Sequence, residues 1–459
     1  MKTKTSLCLA LTLGLGLVGL ARADEPPSLT ANELRAIAEE GDGPFTARYN
    51  TLFAAHDWRT LQRVGRARRE AHPDEVLGWA AEFNSAYANG DLDAAIAAGA
   101  RLHQLTSQSK FNIEPRLSWA RAVRRDYPDL QLQPVEWVQS PSTRQIEAVR
   151  AQAERLLRDR KYDEIERVAR DLQKSKATGV LGESHLLVFF DGLARAGADV
   201  SKSQSALAAW RKARPASALA RLAAIDFWTR QAWDARGTGY AASITPAMQE
   251  KIEAALSRAN AGIAELPVAA QQSPLFFLVL QDWAKLAGPG REFTDGIFQQ
   301  GTAKFPEVYE LYSRQARIIM PQWYGAPGEW QELAQTRADQ IGGVEGDIFY
   351  ARLLTKIFPY SNSQTEGEEQ YDAERFWRGL AALRARTPDS PLLRSVQLAF
   401  GFCGCSVGAT NRDYERAKSA LTEPNGQQLD ASWGFFSRPG QRETFSSNRI
   451  DVLASREPK

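Results

Sequence analysis

Residues that commonly carry chemistry are scarce in this chain, which has four His and three Cys among 459 residues. The histidines, His56, His72, His103 and His185, are scattered and show no metal-binding or catalytic spacing. The sequence also lacks a phosphate-binding glycine loop, a His-Glu-x-x-His zinc motif and a Gly-x-Ser-x-Gly nucleophile elbow. We therefore predict no catalytic residue, no metal ion and no cofactor.

An excess of one charge is also lacking, because the formal net charge is only +2 and the two signs are interspersed. Such a balance argues against broad electrostatic capture of nucleic acid or of an anionic membrane. Beyond the first 23 residues, no segment is as long and apolar as a spanning helix, which needs about 20 residues. We predict no nucleic-acid partner and no membrane span in the mature chain.

The N-terminus has the layout of a secretory signal peptide. Lys2 and Lys4 precede an uncharged apolar run over residues 7–20, and Ala21-Arg22-Ala23 places small side chains where a signal peptidase requires them. A retained membrane anchor is the alternative, but the apolar run is short for it. We expect cleavage after residue 23 and export to the periplasm or the medium.

Two of the three cysteines, Cys403 and Cys405, are separated by a single glycine. In an oxidising compartment they could form a disulfide, although so small a ring would be strained. They could also act as a redox or metal-binding pair, but a zinc site would need two more ligands and the nearest histidine is His185. The remaining interpretation is two small side chains packed inside a helix.

A short pattern recurs along the chain: a polar turn, then an apolar or aromatic residue, then another apolar residue three positions later. It occurs at His56-Asp57-Trp58-x-x-Leu61, Gly90-Asp91-Leu92-x-x-Ala95, Arg160-Lys161-Tyr162-x-x-Ile165 and Arg412-Asp413-Tyr414-x-x-Ala417. The polar residues are expected to close one helix and open the next, with the two apolar residues on one helical face.

The spacing of the first three copies matches a helical repeat. Trp58 and Leu92 are 34 residues apart, and Leu92 and Tyr162 are 70 apart. A period of about 34 residues is that of the tetratricopeptide helix–turn–helix unit, which stacks because one unit cannot bury its own apolar face. The fold class that we predict is all-α: a superhelical array of antiparallel helix hairpins, or degenerate tetratricopeptide-like solenoid.

Proline-rich and polar stretches suggest where this array is divided. We expect a signal peptide at 1–23, N-terminal helical repeats at 24–133, a second repeat block at 142–226, a central helical domain at 227–357, a C-terminal repeat at 366–436 and a polar tail at 437–459. The acidic run within 366–374 lacks the glycine-turned loop of a calcium site and more simply precedes a helix.

Two stretches combine glycines with large aromatic residues. They are Ala232-Trp233-Asp234-Ala235-Arg236-Gly237-Thr238-Gly239-Tyr240 and Pro321-Gln322-Trp323-Tyr324-Gly325-Ala326-Pro327-Gly328-Glu329-Trp330. Glycine permits tight turns and close backbone approach, and the indoles can cover such turns. Together the two stretches resemble a bacterial family of unknown function built on tetratricopeptide-like helices, over about residues 227–354. The resemblance implies a helical-repeat fold and no assigned activity.

The side chains of these stretches allow two interpretations. In the structural one, Arg236 either forms an ion pair, for example with Glu329, or caps backbone carbonyls between hairpins. Trp233, Trp323 and Trp330 are then wedges. In the functional one, the side chains line a groove for a peptide or sugar. The candidate binding residues are Trp233, Arg236, Tyr240, Trp323, Tyr324, Glu329 and Trp330.

The function that we predict is that of a non-enzymatic exported scaffold binding a protein or peptide in the bacterial envelope. The alternatives are an envelope glycan-acting enzyme and a glycan- or solute-binding module. An enzyme of that kind needs two carboxylates, and Glu329 with Asp234 is the only pair that the sequence suggests.

Overall fold

The computed structural model describes residues 29–55, 57–106, 113–126, 136–195, 199–237, 241–357, 371–403 and 427–430, with single positions at 416, 419, 420 and 423. The expected signal peptide at 1–23 and the expected tail at 437–459 lie outside these ranges. Tyr240 and Cys405 lie outside these ranges too. The fourth copy of the recurring pattern, at 412–417, is described only at Arg416.

Almost all of the regular structure in the described residues is helical, which confirms the all-α fold class. The N-terminal helices are α1 (Ala31–Ala38), α2 (Asp42–Ala54), α3 (Trp58–Ala71), α4 (Val76–Asn89), α5 (Leu92–Leu105) and α6 (Ile113–Asp126). The middle helices are α7 (Pro141–Arg158), α8 (Tyr162–Ser175), α9 (His185–Arg195), α10 (Val200–Ala213), α11 (Ala218–Arg236), α12 (Pro246–Ala264) and α13 (Pro274–Ala287).

The last helices are α14 (Arg291–Lys304), α15 (Tyr309–Ile318), α16 (Glu329–Ile341), α17 (Gly343–Ile357), α18 (Ala373–Arg386) and α19 (Pro391–Cys403). Two short 3-10 helices (Ala241–Ser243 and Val268–Gln272) and two strands, β1 (Glu136–Val138) and β2 (Gln428–Asp430), complete the described elements. None of the helices within the described ranges is both long and apolar enough to cross a bilayer.

The recurring pattern of the sequence marks helix starts. Trp58, Leu92 and Tyr162 are the first residues of α3, α5 and α8. The preceding residues Asp57 and Asp91 cap the first two of these helices, because their carboxylates accept hydrogen bonds from backbone N–H groups three positions later. The turn chemistry read from the sequence therefore sets these boundaries locally.

The apolar residue three positions after each start is fully enclosed. Leu61, Ala95 and Ile165 each have 0% of their surface exposed. They face the preceding or following helix of their hairpin, as α3 packs on α4 and α4 on α5. In α3 and α5, one turn thus supplies both the cap and the contact that closes the hairpin.

Buried apolar residues form separate clusters along the chain. Two clusters lie within α1–α6, and the largest extends from Ala153 to Leu429. The largest cluster runs across the expected boundaries at 226/227 and 357/366 without a break. The division into blocks remains a prediction, but α7–α19 share one continuous core.

Within that core, alternate helices contact one another. α7 packs on α9, α9 on α11, α11 on α13, α13 on α15 and α15 on α17, while α12, α14 and α16 pack on their neighbours in sequence. We call α9, α11, α13, α15 and α17 the inner layer. Nine of the ten residues of α15 are buried, so this layer is enclosed on nearly all sides.

The crossing of α17 and α18 depends on glycine. Gly379 of α18 lies against α17, and a Cβ at that position would stand 2.0 Å from the backbone oxygen of Asp347. Backbone atoms cannot give way as a flexible side chain can, so any larger residue must push the two helices apart.

Substitution of Gly379 by alanine is expected to lower the free energy of unfolding by about 1–3 kcal/mol, because the added methyl group overpacks the crossing. The matched control is Gly296→Ala in α14, where no atom lies within 4 Å of the added Cβ. That change should stabilise the protein by about 0.5–1 kcal/mol, since alanine favours the helix over glycine. Urea unfolding of both variants measures the difference, and equal midpoints would contradict this account of the crossing.

The two ends of the array are joined by strands that are far apart in sequence. β1 precedes α7 and pairs in parallel with β2, which follows α19, in the register Trp137 with Leu429. The buried carboxylate of Asp430 accepts hydrogen bonds from Ser140 N (3.0 Å) and Thr143 Oγ1 (2.6 Å) at the start of α7. The array of α7–α19 therefore closes on itself.

A second long-range contact is made by residues 177–184, the connection between α8 and α9, which we call the seat segment. Its turn uses Gly182 at φ +84°, close to the side chains of Tyr309 and Arg352. Arg352 Nε donates to the Val180 oxygen at 3.1 Å. Ser184 N donates to the Glu310 carboxylate. The seat segment is thereby fixed to α15 and α17.

Two carboxylates lie in this contact, of which Glu310 is buried and Glu183 is half-buried. Burial alone would raise the pKa of Glu183, but the charge of Lys356 and its hydrogen bond at 2.9 Å outweigh burial and hold that pKa below the ordinary glutamate value. Burial raises the pKa of Glu310, because the hydrogen bond from Ser184 and the charges of Arg314 and Lys356 compensate only in part. The ion pair of Glu183 is the charged link between the seat segment and α17.

Because the folded pKa of Glu183 is lowered, its contribution to stability is present above the unfolded pKa of about 4.3 and is lost as the pH falls through the folded pKa. Glu183→Gln should therefore reduce the free energy of unfolding by about 1–2 kcal/mol at pH 7. The deficit should shrink in the acid range. Urea midpoints measured at several pH values test this, with Glu250→Gln on the exposed face of α12 as the control. A deficit that does not change with pH would contradict the assignment.

Candidate functional site

The C-terminal ends of three inner-layer helices meet at one edge of the array. Gly237 (φ +67°) follows the last residue of α11 and Gly288 (φ +73°) follows that of α13, so each helix stops before a glycine in a positive-φ conformation. α15 ends at Ile318 and is followed by the turn that carries Trp323. This edge is the candidate site.

The turn after α15 explains why Gly325 follows Trp323 and Tyr324 in the sequence. The N–H groups of Trp323 and Tyr324 donate to the oxygens of Met320 (2.9 Å) and Ile318 (3.1 Å), so the chain folds back on the helix end. A Cβ on Gly325 would lie only 1.7 Å from the Ile319 oxygen. Only glycine fits there, and the resulting turn directs the indole of Trp323 towards α11 and α13.

Four side chains converge at this edge, and we call them the indole–cation cluster: Trp233, Arg236, Lys285 and Trp323. The two indoles meet edge to face, with centroids 5.5 Å apart and planes at 70°. Arg236 Cζ lies 5.7 Å from the centroid of Trp233 and 5.2 Å from that of Trp323. Lys285 Nζ lies 5.4 Å and 4.1 Å from the same two rings. Arg236 and Lys285 thus each lie within cation–π distance of both indole rings.

The framework around the cluster holds the rings in place. Trp233 Nε1 donates to the backbone oxygen of Asp282 at 3.4 Å, and Tyr324 Oη donates to that of Lys285 at 3.5 Å. All four members of the cluster are half-buried, so the cluster is supported from below and still reached by solvent.

The electrostatics of the cluster are unfavourable for a positive charge on Lys285. Burial, together with the nearby charges of Arg317 and Arg236, lowers the pKa of Lys285 to about 7, and Asp282 only partly opposes them. Asp282 is itself paired with Arg314 at 2.8 Å. Among the described residues, no carboxylate lies within salt-bridge distance of Lys285 Nζ.

A structural reason for cations at this edge also exists. The last turn of a helix carries a partial negative charge, which favours Lys and Arg there. Arg236, Lys285 and Arg317 each occupy the last turn of their helix. This accounts for one cation on each helix, but not for the burial of Lys285 between two indoles beside like charges.

Glu329 and Trp330 belong to the framework and not to the cluster. The carboxylate of Glu329 pairs with Arg291 from the start of α14 and accepts a hydrogen bond from Ala326 N at 3.0 Å. The hydrogen bond from Arg291 is the main reason that the pKa of Glu329 is lowered. This corrects the expected pairing of Glu329 with Arg236. The indole of Trp330 is a core residue at 3% exposure.

The other expected site residues have mixed outcomes. Trp233, Arg236 and Trp323 come together, and Tyr324 lies beside them. Tyr240 is outside the described residues. Cys403 ends α19, but neither its side chain nor Cys405 is described. In the described part of the chain, no three His, Cys, Asp or Glu side chains lie close enough to hold a metal ion.

Sequence reasoning missed Lys285 and Arg317. The only available signal was a cation in the last turn of an apolar helix, which for Lys285 is followed by a glycine. That pattern is common at helix ends and does not show which other helix ends lie nearby.

Lys285 is expected to titrate near pH 7, far below an ordinary lysine at about 10.4. Arg317→Gln should raise its pKa, since a positive neighbour is removed, and Arg236→Gln should raise it by less. Reductive methylation with ¹³C-formaldehyde gives each lysine an NMR signal whose shift follows the pH, and Lys285→Arg identifies the signal of interest. If every lysine signal titrates in the ordinary range, the described environment of Lys285 is wrong.

Comparisons with known proteins give a family match over part of the chain and no activity. No curated protein and no solved structure matches the chain. A family model matches one segment of the chain, from the middle of α7 to the middle of α13. This segment contains Trp233 and Arg236 but ends before Lys285 and Trp323. Over residues 149–280, the chain matches a family described as a domain of unknown function (DUF4034).

Proposed function

We propose that this chain is a non-enzymatic, exported helical-repeat scaffold, of the tetratricopeptide-like kind, that binds a peptide segment of a partner protein at the indole–cation cluster. The observation that carries the proposal is the geometry of the cluster, in which Lys285 and Arg236 lie over the same two half-buried indoles. Tryptophan and arginine are the side chains most often found as anchors of protein–protein contacts.

Support also comes from the way the cluster is built. Its members sit on the ends of rigid helices and on a glycine-dependent turn, so little ordering is needed when a ligand binds. Such a preformed site costs less conformational entropy on binding than a mobile loop does.

The glycan-acting alternative is less well supported. It would use Glu329 as an acid, but that carboxylate is held by Arg291 and Ala326, and its pKa is lowered. A general acid needs a raised pKa so that it still carries its proton at working pH. A glycan- or solute-binding module remains the alternative, and it is an outcome of the experiment below.

Photo-crosslinking tests the proposal. We expect benzoylphenylalanine placed at Asp234 or at Gln322, two exposed positions flanking the cluster, to form the same protein adduct in cells. Ala261 is the matched control, because it is exposed on α12 near the opposite end of α11. The adduct should disappear when Trp323→Ala is combined with the probe at 234.

The same cells test export. The recovered chain should begin at Asp24 and be released by osmotic shock or found in the medium. A glycan attached at 234 and 322 would favour the glycan-binding alternative. If positions 234 and 322 give no adduct beyond that of the control, the cluster is not a partner-binding site.

A further inference from the structure

Among the described residues, more basic than acidic side chains surround the indole–cation cluster. Arg236, Lys285 and Arg317 end three adjacent helices, and Asp282 is the one carboxylate among the described residues that bears on Lys285, from one turn earlier on its own helix. Asp282 pairs with Arg314 at 2.8 Å and lies 3.8 Å from Arg317, so its charge is already shared. A half-buried site with unbalanced charge favours a ligand of the opposite sign.

Building on the proposed function, we propose that the cluster binds its peptide through one carboxylate, held by Lys285 and Arg236, while the apolar part of the same residue packs on the indoles of Trp233 and Trp323. The two cations lie over the same ring pair, within 6 Å of each ring centroid, and so can reach one ligand group.

A carboxylate fits this setting better than a phosphate group. It brings one negative charge to a site where the indoles remove much of the water, whereas a phosphate would need to lose the hydration of nearly two charges. It also has two oxygens, which match the two cations of the cluster. The indole N–H of Trp233 is engaged by Asp282 and adds no donor.

This arrangement couples binding to a proton. The groups that face Lys285 are Arg236 from α11, Arg317 from α15, Asp282 from its own helix and Tyr324 from the turn after α15. A bound carboxylate offsets the two like charges, so it should raise the pKa of Lys285 from about 7. Binding should then weaken roughly tenfold for each pH unit above 7, until the pH reaches the pKa of the complex.

The test uses small probes and the ¹³C-methyl signal of Lys285 in the whole chain. N-acetyl-leucine carries a chain-end carboxylate beside an apolar side chain, N-acetyl-glutamate α-amide carries a side-chain carboxylate, and N-acetyl-leucine amide has no charge. We expect at least one carboxylate probe to bind in the millimolar range at pH 6 and at least tenfold more weakly at pH 9. The neutral amide and inorganic phosphate should shift the signal tenfold less. The acid probe that binds more tightly shows whether the peptide supplies a chain-end or a side-chain carboxylate.

Variants of Lys285 separate the effect of its charge on binding from an effect on folding. Lys285→Met should abolish binding of the acid probes, whereas Lys285→Arg should keep it and remove its pH dependence, because arginine stays charged. The indole N–H signals report binding in both variants. Lys251→Met, on an exposed position of α12, is the matched control and should bind as the unmodified chain does.

The outcomes distinguish this inference from the proposed function. If the acid and amide probes bind equally, or if Lys285→Met binds the acids as well as the Lys251→Met control does, carboxylate anchoring is wrong. The crosslinks at 234 and 322 can still form in that case. If the crosslinks are absent while the acid probes bind as expected, the cluster is a carboxylate site, but the proposed partner binding fails.

Discussion

The seating of residues 177–184 on α15 and α17 is the contact on which the arrangement of the inner layer depends. Helices in a repeat array touch mainly their near neighbours, so small changes in packing angle can accumulate along the array. The seat segment connects the start of α9 directly to the start of α15 through Ser184 and Glu310. It thereby limits how far α11 and α13, which lie between them, can shift.

That limit explains how half-buried charges can persist at the edge of the array. Arg236, Lys285 and Trp323 come from three different elements, and their separations of 4–6 Å require those helix ends to stay in register. With a lowered lysine pKa, the unfolded chain binds a proton more strongly than the folded one between about pH 7 and 10. Protonating Lys285 therefore opposes folding, and the seat segment and the β1–β2 closure provide the compensating long-range contacts.

Local features of the chain could be predicted from the sequence. The helix starts at Trp58 and Leu92 follow from an aspartate cap and an apolar first turn, which act over four residues. Gly325, two residues after Trp323, is also recognisable as part of a tight turn. Each of these depends on neighbouring residues alone, and the structure agrees with each of them.

The rest depends on which distant elements meet. The pairing of β1 with β2 joins Trp137 to Leu429, and neither three-residue strand has a pattern of its own. Arg291 takes the carboxylate of Glu329 because the start of α14 lies beside the turn after α15, a position that no spacing in the sequence encodes. Lys285 is an ordinary helix-end cation until α11 and the turn carrying Trp323 enclose it.

The balance of charge also favours binding over catalysis at this edge. A general acid–base pair needs two groups whose protons can move at working pH, whereas Glu329 is fixed in its ionised form by Arg291. Among the described groups of this edge, Lys285 is the one whose pKa is moved close to neutrality, and cations and indoles lie beside it. A single titratable amine among fixed cations can respond to the arrival of an anion by taking up a proton. Recognition of an acidic group is therefore the chemistry for which this arrangement is suited.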